Sequence, residues 1–486
     1  MKKHIYIAMI AIAQILTLTG CDLDETIYGT ISDDTFWNSE NDIREGLNSA
    51  YGGLNERYKG FSLWQYVVED ACSDYSAARN CYPEFTNYSN WSGTYPAPVD
   101  WGIYKFFWNQ ISYVNKTLDK IPEVEMNDES KARYMGEGRA LRAFLYFTLV
   151  QWFKDIPLIT SSTDDRYLIP QETPDAIYAF IEKELTECQD GMLTRDELQA
   201  SGEAGYVHLT KAAAQGLLAR VYLVQKKYDE CRDACKKLID NPDDYGSYEL
   251  LPNYKDVFRI KGFANKECLW SLPADGVSNV SMFQVNMYKL WDAEGSTVVR
   301  DKTFDAYQGW GDLSVTVNFY NTFAANDIRK ECLQYDPLCE PEKVMILKYP
   351  AETSNGEESS TDYPVLRWAD IWMMYAESLL LGSTSDLQGA INAANNVRRR
   401  AQVPQYEAAD FTVDGFKREL YNERRRELFF EGCGKRDMIR FGTLTDYIKT
   451  VSKDAGSNPE RYFYLPLPSS ALAANPAMKQ NSPDYK

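Results

Sequence analysis

Histidine is nearly missing from this 486-residue chain, where only His4 and His208 occur. A His-Glu-x-x-His zinc site needs two imidazoles one helical turn apart, and no such pair exists. His208 could serve a nucleophile only alone, without a Gly-x-Ser-x-Gly elbow, and it directly precedes an apolar helical pattern at Leu209; it is read as a helix-start residue. Gly-Lys-Ser and Gly-Lys-Thr loops are absent. The Gly-x-Gly pairs Gly136 with Gly138 and Gly309 with Gly311 never reach a third glycine, so no nucleotide cofactor is supported, and no other cofactor or metal is called for. Positive charge is also scarce: 52 Lys and Arg face 71 Asp and Glu, for a net charge of −19. That balance excludes nucleic acid and other polyanions as natural partners.

Long apolar runs are lacking as well. The longest, residues 5–19, falls short of the roughly 20 residues a membrane-crossing helix needs. It follows Lys2 and Lys3 and ends in Leu18-Thr19-Gly20-Cys21, a pattern that resembles a bacterial lipoprotein signal. The resemblance implies cleavage before Cys21, lipid on its thiol, and a mature protein held to the membrane by acyl chains worth about 0.8 kcal/mol per buried CH₂.

Aromatic residues, at 14% with 34 Tyr and 11 Trp, are abundant. Flat rings with polar edges suit sugars and other nonionic ligands, although filling the interior is the commoner use of any single ring. Ten cysteines occur. Cys72 with Cys81 and Cys332 with Cys339 are close enough in sequence to close surface loops if oxidised, whereas Cys231 and Cys235 read as small buried thiols on one helix.

Three- and four-residue apolar spacing predicts helices over residues 41–58, 104–121, 131–153, 175–188, 209–225, 228–239, 367–381, 386–401 and 414–431. The pair 209–225 and 228–239 resembles one tetratricopeptide unit, with Ala213, Gly216, Ala219 and Ala234 allowing close approach. Residues 61–108 hold 14 aromatics in 48 positions among Asp, Asn, Ser, Pro and Gly, and read as an ordered loop region. Helical periodicity fades again over 242–363, and the tail from 462 reads as surface coil. Trp108, Trp152, Trp368 and Trp372 fall on helix stripes and are assigned to the core. Among 71 acids no carboxylate pair stands out for hydrolysis, and Arg424-Arg425-Arg426 between Glu423, Glu427 and Glu431 has the spacing of ion pairs along a helix.

Several stretches occur in a telling order: Trp108-Asn-Gln-Ile-Ser-Tyr-Val-Asn115, Arg139-Ala-Leu-Arg-Ala-Phe-Leu-Tyr146, Asp155-Ile-Pro-Leu158, Leu209-Thr-Lys-Ala-Ala213 and Asp327-Ile-Arg329. They are followed by Leu366-Arg-Trp-Ala-Asp-Ile-Trp-Met-Met-Tyr-Ala-Glu-Ser378, Ala390-Ile-Asn392, Val397-Arg-Arg-Arg-Ala401, Glu423-Arg-Arg-Arg-Glu-Leu-Phe-Phe-Glu-Gly432, Arg436-Asp-Met-Ile-Arg440, Tyr464-Leu-Pro-Leu-Pro468, Asn475-Pro476 and Gln480-Asn481. In this order they resemble the SusD-like (RagB/SusD) family of surface nutrient-binding lipoproteins. The resemblance implies a mainly α fold on four tetratricopeptide-like helix pairs, with an irregular part bearing the ligand site. It implies an outer-membrane lipoprotein facing the exterior that captures oligo- or polysaccharide for a TonB-dependent, SusC-like transporter. The corresponding organisation is a leader at 1–20, an N-terminal part at 21–250 and a C-terminal part at 251–486. The last divides into a variable ligand region at 251–363, a helical scaffold at 364–450 and a coil.

Ligand residues vary within such a family, so the site is chosen by residue type. Trp91, Trp101, Trp291 and Trp310 sit beside Asp, Asn and Gly without helical periodicity and are the candidate stacking platforms. Asp74, Arg79, Asn90 and Tyr95 are the candidate hydrogen-bonding groups. The reading is a non-catalytic glycan binder; a peptide-binding lid of such a transporter and a surface glycoside hydrolase are the alternatives.

Overall fold

Side chains spaced three and four apart build the helices of this chain, and short polar residues fix where they begin. The computed structural model describes residues 36–54, 60–78, 102–164, 168–202, 208–274, 313–335, 343–349, 360–451 and 459–482, with the backbone of 290–291, 297–298, 354–355 and 358–359. Its principal helices are α1 (Glu40–Leu54), α2 (Phe61–Gln65), α3 (Ile103–Lys120), α4 (Asp128–Phe153), α5 (Pro174–Glu187), α6 (Lys211–Val224) and α7 (Tyr228–Asp240). They continue with α8 (Trp368–Leu381), α9 (Leu387–Arg400), α10 (Val413–Leu428) and α11 (Gly434–Phe441). Asn127, Thr173, Thr210 and Thr412 each accept a first-turn amide, from Ser130, Ala176, Ala213 and Gly415. Such caps are worth about 1 kcal/mol apiece. Consecutive helices pack as neighbours: α1 on α3, α3 on α4, α4 on α5, α5 on α6, α6 on α7, α7 on α8 and α8 on α9. The protein is mainly α, as the periodicity implied.

Several expectations need correction. Residues 61–108 are not all loop: α2 runs directly into a π-helical turn, Tyr66–Asp70, whose side chains are all buried. Leu63, Trp64, Val67 and Val68 do carry helical spacing, but the surrounding rings and small polar residues obscure it. His208 does not start α6, because Thr210 is the cap; its imidazole pairs instead with the buried Glu137 carboxylate. Gly216 opens space for a strand rather than for α7: a Cβ there would lie 2.6 Å from a methyl of Leu366. Cys332 is a buried free thiol; Cys81 and Cys339, the other members of the two suggested pairs, lie outside the described residues. Trp152 and Trp368 are buried as expected, but Trp108 and Trp372 are only half-buried. The tail holds a short helix, Ser469–Ala474.

The region of faded periodicity contains strands. With β1 (Ser76–Ala78), β2 (Cys268–Leu272), β3 (Leu313–Thr316), β4 (Leu333–Tyr335), β5 (Lys343–Ile346) and β6 (Tyr363–Arg367), the chain forms an antiparallel sheet in the order β1-β3-β5-β4 and a separate β6-β2 pair. β6 is buried at every position and leads without a break into α8.

A buried ionic core joins these layers. Arg367, at the end of β6, lies 2.8 Å from Glu267, 2.6 Å from Glu427 and 2.5 Å from Glu431. Arg329 binds Asp327, Glu423 and Glu427, and Arg400 pairs with Glu267 and Glu427. The Arg-rich motif on α10 is thus a structural network, as its composition suggested, but its reach is mostly tertiary. Arg426 pairs along the helix with Glu423 at 2.7 Å, whereas Arg424 crosses to Asp370 and Asp437 and Arg425 crosses to Asp74. Buried charges are tolerated only when so paired.

Candidate ligand-binding site

The sheet register determines which of the candidate residues can share a surface. β1 and β3 pair with Ala78 opposite Leu313, Ala77 opposite Ser314 and Ser76 opposite Val315. The end of β1 and the start of β3 therefore lie side by side at one end of the sheet. Arg79 follows Ala78 directly, and Trp310 stands three residues before Leu313. Arg79, Asn90, Trp91, Tyr95, Trp101 and Trp310 themselves lie outside the described residues, as does the lipidation candidate Cys21. Trp291 belongs to a two-residue strand paired with Thr297, of which the backbone alone is described.

Asp74 is the one candidate whose side chain is described, and it sits at the other end of β1. Its Oδ1 lies 3.0 Å from an Arg425 guanidinium nitrogen, with 22% of the side chain exposed. Burial pushes its carboxyl upward, against the pull of Arg425. Asp74 therefore lies beside the Ser76–Val315 pair, at the end of β1 away from Ala78.

On the Asp74 side of the sheet, β3 passes into the short helix Val317–Tyr320. There the half-buried rings of Tyr320 and Tyr335 stand 5.6 Å apart at 47°, with the Lys330 ammonium 4.3 Å above Tyr320. Sequence reasoning passed over these tyrosines because neither sits in a glycine- or asparagine-rich run with tryptophan.

Residues that hold the sheet were also missed. The Lys348 ammonium, two positions past β5, is buried against the rings of Phe429 (4.1 Å) and Phe258 (4.8 Å) and lies 2.5 Å from Glu431. Burial lowers its proton affinity, and Glu431 restores part of it. Tyr75, directly before β1, packs its buried ring on Phe319 and Phe430 at 5.2 and 5.6 Å. Its hydroxyl donates to Asp70 Oδ1 at 2.5 Å, and Asp70 Oδ2 accepts the Gly432 amide at 2.8 Å. Burial pushes the Asp70 carboxyl up to about 7, against these two hydrogen bonds. The Phe-Phe-Glu-Gly end of the α10 motif was the available signal, since two buried rings and a glycine just past a helix mark a tight, packed turn.

A small cleft of about 50 Å³ lies between α2, α4, α6, β6 and α11, lined by Phe61, Phe144, Arg220, Tyr363, Arg424 and Arg436 among others. Its guanidinium groups are matched by carboxylates: Arg220 and Arg424 hold Asp370, and Arg436 holds Glu69. Among the described residues no group of three His, Cys, Asp or Glu side chains is arranged to hold a metal ion, and no helix is long and apolar enough to cross a membrane.

Comparison with known proteins accounts for this architecture. Residues 339–485 match the model of the SusD family, and residues 23–223 match a model described as starch-binding associating with outer membrane. A SusD-like protein, P38, from Formosa agariphila is 22% identical over 533 aligned positions that span 99% of each chain. The starch-binding protein SusD of Bacteroides thetaiotaomicron is 22% identical over 82% of this chain and 80% of its own. Among solved structures, a SusD superfamily protein from Bacteroides vulgatus superposes with a TM-score of 0.76 at 21% identity, covering 92% of this chain and all of its own. A laminarin binding SusD-like protein gives 0.74 at 22% identity with the same coverage. With models of that family matching residues 23–223 and 339–485 and relatives aligned over nearly the whole chain, this protein belongs to the SusD-like family.

Proposed function

We propose that this protein is a non-catalytic glycan-binding lipoprotein of the outer-membrane surface. It takes up oligo- or polysaccharide between Trp91, Trp101, Trp291 and Trp310, with Arg79, Asn90, Tyr95 and Asp74 bonding hydroxyls, and passes it to a TonB-dependent, SusC-like transporter. Cys21 carries its lipid.

One observation carries the reading. Ala78 pairs with Leu313, and in the sequence Arg79, Asn90, Trp91, Tyr95 and Trp101 follow the one while Trp310 precedes the other, which supports a shared site. Rings and hydroxyl-bonding groups of these types can stack on a sugar and bond its rim without any reacting pair. The names of relatives point the same way, since they include a starch-binding protein, a laminarin binding protein and a surface glycan-binding protein. The outer-membrane wording of one matched family model agrees with a lipid-held protein.

The test is calorimetry on purified protein with a panel of soluble glycans, starch and laminarin oligosaccharides first. Trp310→Ala should weaken binding of whichever glycan binds by about 1–3 kcal/mol, as loss of an aromatic anchor does. Unchanged affinity removes that residue from the site. Shorter sugar chains appearing on incubation with a bound polysaccharide would show a hydrolase instead.

A further inference from the structure

Helix α4 runs for 26 residues, and from Ala140 to Phe153 every residue but Gln151 is buried. The last turn of a helix leaves carbonyls without partners inside it, and burial makes each one costly unless a donor comes from elsewhere. Lys154 turns the backbone sharply away there, with φ of 65°. The Trp152 carbonyl accepts the amide of Leu465 at 2.6 Å, and the Phe153 carbonyl accepts the side-chain amide of Asn481 at 2.9 Å. The second donor lies 328 positions further along the sequence.

The same terminal segment is tied down at further points. Asn481 also donates to the Leu465 carbonyl at 2.5 Å, and Gln480 exchanges two bonds with the backbone of Leu467, at 2.8 and 3.0 Å. Asn475 donates to the Ile169 carbonyl at 2.8 Å. Gln171 stands between tail and helix end: its oxygen accepts the Lys479 amide at 2.7 Å, while its side-chain nitrogen donates to the Asp155 carbonyl at 2.8 Å. At its other end the segment is held by α11, where Arg436 donates to the Phe463 carbonyl at 3.3 Å. Asn and Gln side chains carry the same donor and acceptor as a peptide bond, which lets an irregular segment cap a helix it does not belong to.

We infer that residues 463–481 are a closing strap: they supply the donors that finish the buried end of α4, so that the first half of the fold becomes tight only when the last residues of the chain dock on it. The first half is synthesised first and waits, its long helix open at one end, for a segment made last. The strap belongs to the scaffold, whatever ligand the protein takes.

Amide exchange in the full chain tests this, with Asn481→Ala set against Asn395→Ala. Asn395 on α9 also makes two side-chain bonds, both to the backbone of Tyr406 and so within the C-terminal half. Asn481→Ala should speed exchange at residues 150–156 by about tenfold or more and leave α8 and α9 as they are, and Asn395→Ala should do the reverse. When the unmodified protein refolds from urea under pulse labelling, protection at 150–156 should appear together with that of the Leu465 amide. Unchanged exchange at 150–156 in Asn481→Ala overturns the inference, as does a rise of the same size in both halves, the mark of a general loss of stability. Protection of 150–156 well before Leu465 overturns it as well. If Asn481→Ala does not fold, the refolding order of the unmodified protein decides alone.

Discussion

Arg367 and Glu427 meet at 2.6 Å with 1% and 0% of their side chains exposed, joining the last residue of β6 to the last turn of α10. Burial by itself would push the Glu427 carboxyl up, but Arg400, Arg367 and Arg329 together draw it down to about 2. The pair is a junction: Glu267 just before β2, Glu431 beyond α10 and Arg400 on α9 all bond to one or both members.

Removing Arg367 leaves three buried carboxylates short of a shared cation. Arg367→Met should lower unfolding free energy by about 3–5 kcal/mol, the range for breaking a buried pair. The urea midpoint reads it, and a midpoint equal to that of the unmodified protein would mean that Arg329 and Arg400 suffice.

Asp70 makes stability depend on pH in the opposite sense to the paired acids. Its folded carboxyl holds a proton up to about 7 against an ordinary value of 3.8, so its favourable contribution is complete below pH 4 and fades as pH rises through 7. Asp370 behaves conversely: burial raises it, Arg220 and Arg424 bring it to about 2, and its contribution is lost only as pH falls below 4 toward 2. Asp70→Asn should therefore gain on the unmodified protein by about 2.5 kcal/mol between pH 5 and pH 8, at about 1.4 kcal/mol per pH unit until the gain levels off above 7. Denaturant titrations at the two pH values measure the difference, and parallel behaviour would contradict the assignment.

Two helical glycines should respond with opposite signs. A Cβ on Gly136 would lie 2.5 Å from the Cys188 carbonyl and 2.9 Å from Met192, where backbone cannot yield cheaply. Gly136→Ala should cost about 1–3 kcal/mol. Gly52 on α1 has nothing within 4 Å of the same position, so Gly52→Ala should gain up to about 1 kcal/mol from helix propensity. Thermal melts of both variants test the pair.

Thiol chemistry should be silent in the fold. Burial pushes the Cys188 and Cys332 thiols up to about 12, and both are free. A disulfide reagent at neutral pH should label them only after denaturation, because the thiolate is the nucleophile. Rapid labelling of either in the native protein, located by mass spectrometry, would contradict their burial.

Much of the helical scaffold was legible because its burial obeys a local rule. The stretch 131–153 predicted from Leu141, Phe144, Leu145 and Trp152 is α4 with three more residues at its start, and 228–239 is α7 with one more at its end. What escaped notice depends on contacts distant in sequence. Ser76 meets Val315 and Arg367 meets Cys268 through backbone pairing that leaves no periodic trace in three- to five-residue strands. The π-helical turn was hidden for another reason: Glu69 and Asp70 look like surface acids until Trp152, Arg436 and Tyr75 are brought against them. For the candidate site, residue type could nominate Trp310 and Arg79 separately, but the pairing of Ala78 with Leu313 beside them is invisible in the sequence.

The junctions that fix β1 and β3 are supplied from outside the stretches that join them to the rest of the chain: Phe430, Gly432 and Tyr349 for the first, Phe319 and Phe429 for the second. Phe429, Phe430 and Gly432 all lie in the turn after α10, so both strands are tied to one point of the helical scaffold. A change in that one turn would therefore be felt by both strands at once, however far apart they stand in the sequence.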